Sequence, residues 1–114
     1  MTVPPVYTLP LRSLHEMNAE VTYQIPIEPG VVFVILCMDC FIAGVGGGAI
    51  QINDSNGATF WYNAQGSDTA GVWMQWLGHE SFIGPDYIEA TATVLDPLGH
   101  GDLRITGYQL ANPS

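Results

Sequence analysis

Residues 31–43 read Val31-Val32-Phe33-Val34-Ile35-Leu36-Cys37-Met38-Asp39-Cys40-Phe41-Ile42-Ala43. Apolar and β-branched side chains fill both alternate positions of this run. It is shorter than the ~20 residues that a membrane-spanning helix needs, and Asp39 interrupts it. The pattern is that of a strand buried on both faces, or of one whose outer face a neighbouring subunit covers. Upstream, Glu20 to Ile27 alternates cleanly. Val21, Tyr23, Ile25 and Ile27 share one face, and Glu20, Thr22 and Gln24 share the other, which predicts a half-buried antiparallel strand. Glu28-Pro29-Gly30 between the two runs reads as a tight turn.

Downstream, a glycine-rich loop (Gly44 to Gly48) leads to Ala49–Asn53 and Ala58–Asn63. These flank Asp54-Ser55-Asn56-Gly57, a strong hairpin signal. Gln65 to Gly71 is a polar loop. Val72 to Leu77 reads as a strand with Val72, Met74 and Trp76 opposite Trp73, Gln75 and Leu77. Gly84-Pro85-Asp86 turns the chain, Tyr87 to Leu95 alternates, Pro97 to Gly101 loops, and Leu103 to Leu110 closes the series. Only Leu11 to Ala19 reads as a helical turn or two, with Ser13 as its cap. About eight short strands at ~8–12-residue spacing predict an all-β antiparallel β-sandwich, jelly-roll-like, joined by hairpin-length connections. The chain divides into residues 1–27, an N-terminal arm and first strand(s), and residues 28–114, the β-sandwich body of a single domain.

Composition sets the function classes. The chain has 114 residues, two arginines (Arg12 and Arg104), no lysine and eleven acids, for a net charge of −9. So few cations cannot neutralise nucleic-acid phosphates or attach to an anionic membrane. Charged residues make up 11%, against ~25% in ordinary soluble chains. Charge depletion marks the core of protein–protein interfaces. The composition therefore predicts a surface covered by partners or by copies of the same chain, in preference to a neutral-surfaced monomer kept soluble by its acids. The opening MTVPPVYTLP lacks the basic start and continuous apolar stretch of a signal peptide, so a soluble protein made in a cytoplasm is expected.

No catalytic constellation stands out. Cys37-Met38-Asp39-Cys40 is a CxxC, but positions i and i+3 of a strand face opposite ways, so a bridge is awkward. Zinc would need a second pair of ligands, and His15, His79 and His100 are scattered. Two reduced, mostly buried cysteines are expected. Asp54-Ser55-Asn56-Gly57 imitates the start of a calcium loop without its bidentate glutamate. His79, Glu80, Ser81 and Asp86 lack the spacing of a triad and are assigned to a loop, and Glu80, Asp86 and Glu89 are only generically acidic, without the pairing that glycoside hydrolysis needs. No enzyme, cofactor or metal is expected. The aromatic set Phe60-Trp61-Tyr62, Trp73 and Trp76 splits by alternation, half to the core and half outward. Outward members would anchor a protein contact. A carbohydrate-binding module would instead hold Trp61, Trp73 or Trp76 coplanar and exposed on one sheet face. A small β-sandwich enzyme would bring His79 and Glu80 into an open cleft.

The order of these segments resembles the small β-sandwich virion proteins of tailed phages, especially phages of actinobacteria, known as minor tail or capsid decoration proteins. The resemblance rests on Glu28-Pro29-Gly30-Val31-Val32, the Asp54–Gly57 hairpin with Thr59-Phe60-Trp61-Tyr62, Val72-Trp73-Met74-Gln75-Trp76-Leu77-Gly78-His79-Glu80, and the closing Asp102-Leu103-Arg104-Ile105-Thr106-Gly107-Tyr108-Gln109-Leu110. It is a likeness of pattern over residues 28 to 110. It implies a jelly-roll-like fold, no catalysis, and a place on a virion assembled in the host cytoplasm. Partners would be other virion proteins and copies of the chain itself in a trimer or higher ring, with a host-surface glycan as the alternative partner. Terminal arms of such proteins reach onto neighbours, which nominates Val3, Val6, Tyr7 and Leu9 for the interface beside the outward aromatics Trp61 and Trp73.

Overall fold

The computed structural model describes residues 8–17, 21–66 and 71–111. They form eight strands: β1 (Thr8–Met17), β2 (Val21–Ile27), β3 (Val31–Ala43), β4 (Gly48–Asp54), β5 (Thr59–Gln65), β6 (Val72–Ile83), β7 (Asp86–Val94) and β8 (His100–Ala111). One four-stranded sheet has the order β1-β8-β3-β6 and the other β2-β7-β4-β5. Every pairing is antiparallel. First pairs with last, second with seventh, third with sixth and fourth with fifth. A long hairpin rolled up so that β8 meets β3 and β7 meets β4 has this order. The fold is an all-β sandwich of jelly-roll type.

The rolled topology changes what the turns do. Of the connections between strands, only β4–β5 joins neighbours in one sheet. The other short links, Glu28-Pro29-Gly30 and Gly84-Pro85 among them, carry the chain from one sheet to the other. These two crossings brace each other, since the Gly84 amide donates to the Val31 carbonyl at 2.9 Å. At the opposite end, the Asp96 carboxylate accepts the amides of Leu98 (2.9 Å) and Val45 (3.1 Å). It thereby ties the β3–β4 loop to the β7–β8 loop. A Cβ on Gly44 would stand 2.6 Å from the Asp96 Cβ, so only glycine lets the loops approach this closely.

Two expectations are corrected here. Of the expected helical segment Leu11 to Ala19, residues 11–17 are strand: β1 spans Thr8–Met17 and pairs residue for residue with β8, placing Ser13 opposite Ile105, while Asn18 and Ala19 lie outside the described residues. Ten ladder positions outweigh the slight local helical preference of the segment. His79 to Ile83, expected in a loop, extend β6. Glu80 to Ile83 pair with the first residues of β3 from Ile35↔Glu80 to Val32↔Ile83, and His79 lies at the register shift beside them. The hairpin at Asp54–Gly57 forms as expected. The Asp54 carboxylate accepts the amides of Asn56 and Ala58 at 2.9 Å each, and Gly57 takes the left-handed conformation (φ 86°) that the tip requires.

The core lies between the sheets. Ile35, Met38, Cys40 and Ile42 of β3, Met74 of β6 and Leu103 and Ile105 of β8 face Ile25 and Ile27 of β2, Ile50 and Ile52 of β4, Trp61 of β5 and Ile88, Ala90 and Ala92 of β7. Among the described residues no polar or charged residue is buried. Two irregularities set which side chains face inward. In β3 the register shifts between Ile35 and Cys37, so odd-numbered residues point inward before Leu36 and even-numbered ones after it. In β5 the ladder passes from Trp61 to Thr59. Phe60 is thereby freed to pack inward beside Trp61, meeting Trp76 edge-on at 6.2 Å and Phe82 at 5.5 Å.

Candidate docking surface

The outer faces of the two sheets differ in kind. On the β2-β7-β4-β5 sheet, polar side chains satisfy one another across strands. The Thr22 and Thr91 hydroxyls lie 2.9 Å apart, Gln24 donates to Glu89 at 3.0 Å, and Gln51 donates to Asn53 and Thr59. The β1-β8-β3-β6 sheet, beside polar residues such as Gln75, His79 and Arg104, exposes a group of large apolar side chains. Trp73 is 61% exposed, Leu77 70%, Ile83 61%, Phe41 38% and Leu36 37%. Alternation explains the first two, because Val72, Met74 and Trp76 occupy the inward positions.

A polar row crosses this apolar face. Gln75, Asp39 and Arg104 are register partners on β6, β3 and β8. The Gln75 amide donates to the Asp39 carboxylate at 2.8 Å. Asp102 sits one row away, opposite Phe41, and is paired with His100 at 3.5 Å. Asp39, Phe41, Trp73, Asp102 and Arg104 line a shallow depression of about 180 Å³. Farther along, His79 Nε2 and Tyr108 Oη lie 3.4 Å apart, β6 reaching β8 over β3. Val34, the register partner of Tyr108 and Ser81, is only 2% exposed although it faces outward.

The nominated interface residues fall in three groups. Trp73 is outward as expected. Trp61 is not: it is 7% exposed and stands in the core opposite Ile52, because the irregularity at Phe60 fixes its facing. Leu9 lies in β1, opposite Gln109 of its own sheet. Val3, Val6 and Tyr7 lie outside the described residues. Tyr62 (62% exposed), Leu77 and Ile83 were not nominated. Leu77 was legible from the Val72–Leu77 alternation, whereas Ile83 lay beyond the assigned end of that strand. With Trp61 in the core and Trp76 packed against it, the three tryptophans do not form a coplanar exposed platform.

The candidate catalytic residues do not converge. His79 and Glu80 are successive strand residues and leave opposite faces. Glu89 is engaged by Gln24. Asp86 accepts from the Ser55 hydroxyl and the Tyr87 amide, which hold its carboxyl below the usual range. Among the described residues no three His, Cys, Asp or Glu side chains group as metal ligands. The cysteines are free and face opposite ways as expected, Cys40 in the core and Cys37 half-buried on the outer face. Burial pushes the Cys40 thiol up to about 12. Partial burial, and then the neighbouring Asp39 carboxylate, raise Cys37. Neither environment favours the thiolate that redox chemistry needs.

No protein-family model and no curated protein matches the chain. Among solved structures, it is similar to a chain of the virus-like particle of the extra small virus of the giant freshwater prawn Macrobrachium rosenbergii. The identity is 14% over 96% of this chain and 83% of that one, with a TM-score of 0.41. The jelly-roll assignment rests on the strand order.

Proposed function

We propose that this chain is a non-catalytic structural protein of a virus particle, of the minor tail or capsid decoration type found in tailed phages. In this reading it docks on the particle, contacts copies of itself and stabilises the assembly. The observation that carries it is the contrast between the two outer faces: one is polar and internally bonded, the other exposes Trp73, Leu77, Ile83, Phe41 and Leu36 on a chain with few charges. An apolar sheet face of this kind gains from being covered. The virion setting comes from the segment pattern of residues 28–110. Val3, Val6 and Tyr7 precede β1, the far edge of the same sheet, and supply a second contact onto neighbours.

The test is to purify particles from cells carrying the gene and to probe density-gradient fractions with an antibody against the chain. The chain should band with particles at fixed stoichiometry, and Trp73→Ala should reduce its incorporation while His79→Ala leaves it unchanged. A chain found only in particle-free fractions would overturn the reading. Glycan binding by free chain, lost in Trp73→Ala, would replace it with the carbohydrate-binding alternative.

A further inference from the structure

The four edge strands of the sandwich are not equally guarded. Edge strands expose unpaired main-chain groups, and proteins protect them with proline, charge, shortness or irregularity. β1 carries Pro10, Arg12 and Glu16. β2 is seven residues long and carries Pro26. β5 is seven residues long and irregular at Phe60. β6 has twelve residues, VWMQWLGHESFI, with no proline, lysine or arginine and a single carboxylate, Glu80, and its ladder to β3 shifts register between Leu77 and Glu80. Its first half, Val72 to Leu77, pairs with β3 without interruption and lies at the edge of its sheet. This half also carries Trp73 and Leu77, two of the most exposed large apolar side chains.

We infer that the free edge of β6 pairs antiparallel with β6 of a second copy of this chain, joining the two β1-β8-β3-β6 sheets into one continuous eight-stranded sheet. The occupant is argued from charge and from the other edges. A chain of net charge −9 repels its copies at most surfaces, but Val72–Leu77 bears no charge, so two copies meet there with least repulsion. Proline blocks continuous main-chain pairing on β1 and β2, and of the two edges left the regular stretch of β6, Val72 to Leu77, is longer than that of β5, Trp61 to Gln65. A two-fold axis perpendicular to the sheet requires facing residues to share a side, so their numbers add to an even sum. With the axis at Gln75, Trp73 of each copy faces Leu77 of the other on the outer side, and Met74 faces Trp76 within. This two-fold contact differs from the trimer or higher ring that the sequence reading expects.

The inference names the self-contact within the proposed structural role and rests on that reading only for its biological purpose. Light scattering of the purified full chain over a concentration series tests it. The expected mass is two chains, falling to one in Leu77→Lys and unchanged in Tyr62→Lys, which places a lysine on the polar sheet at similar exposure. In a Cys37→Ser background, Gln75→Cys should give a crosslinked dimer on mild oxidation. Facing residues at the axis lie ~4.5–5.5 Å apart at Cα, a span that a disulfide bridges. A single-chain mass at every soluble concentration, a trimer, a dimer indifferent to Leu77→Lys, or no crosslink at Gln75→Cys would each overturn it. Particle-bound chain with any of these results leaves the structural role standing. A dimer of the expected behaviour that never bands with particles removes the role and keeps the pairing.

Discussion

Trp61 and Trp73 are alike in residue type and opposite in consequence. Trp61 fills the core against Ile52, whereas Trp73 stands on the outer face at 61% exposure. Truncating a buried tryptophan removes its transfer free energy and leaves a cavity. Trp61→Ala is therefore expected to cost about 3–5 kcal/mol in urea unfolding of the isolated chain. Trp73→Ala should stay within about 0.5 kcal/mol, as surface substitutions do. Equal losses would place Trp73 in a packed environment within one chain. Alternation sufficed to read Trp73 and Trp76, because the first half of β6 runs without irregularity. It failed at Trp61 because the ladder skips Phe60, so that Phe60 and Trp61 both pack inward where alternation would set them on opposite faces, and a run apolar at both alternate positions does not show where such an extra residue sits. The same holds for Leu36 in β3, where odd and even positions exchange faces amid unbroken hydrophobic sequence.

At the scale of elements, the strands of the body were legible because turn chemistry bounds them. Pro29-Gly30, Asn56-Gly57 and Gly84-Pro85 each stop a β-branched run. β1 was not legible: its short polar and leucine-rich stretch gains strand structure from pairing with β8, a partner some ninety positions away in register terms (Ser13↔Ile105). The second half of β6 was missed because Gly78-His79-Glu80-Ser81 has loop composition and is held by pairing with β3. The loops at the Asp96 end depend on one carboxylate. Hydrogen bonds from the Leu98 amide, and then from the Val45 amide, lower its folded-state pKa below the unfolded one. Stability from this tie is therefore complete above the unfolded pKa and lost as pH falls through the folded one. The amide resonances of Val45 and Leu98 should titrate together, with a midpoint below the ordinary aspartate range, and Asp96→Asn should abolish that titration. Amides that move at separate midpoints would show that Asp96 does not hold both loops.

On the scale of the whole molecule, charge and hydrophobicity are separated in a way that dictates how association responds to salt. The eleven acids give each copy a charge of −9, while the face and edge available for contact are apolar around Trp73 and Leu77. Ion pairs between copies weaken with salt, because counter-ions screen their attraction. Here the screened quantity is the repulsion between two acidic molecules, and the attraction is main-chain hydrogen bonding and apolar burial, which moderate salt does not oppose. Self-association should therefore tighten as sodium chloride rises from low to physiological concentration, where the screening length shortens to ~8 Å. Sedimentation equilibrium at two ionic strengths measures this directly. A dissociation constant that rises with salt would mean that Arg12 or Arg104 meets carboxylates of the other copy, moving the contact away from the uncharged half of β6. One that falls with salt fits a contact along β6 between copies whose charges lie elsewhere.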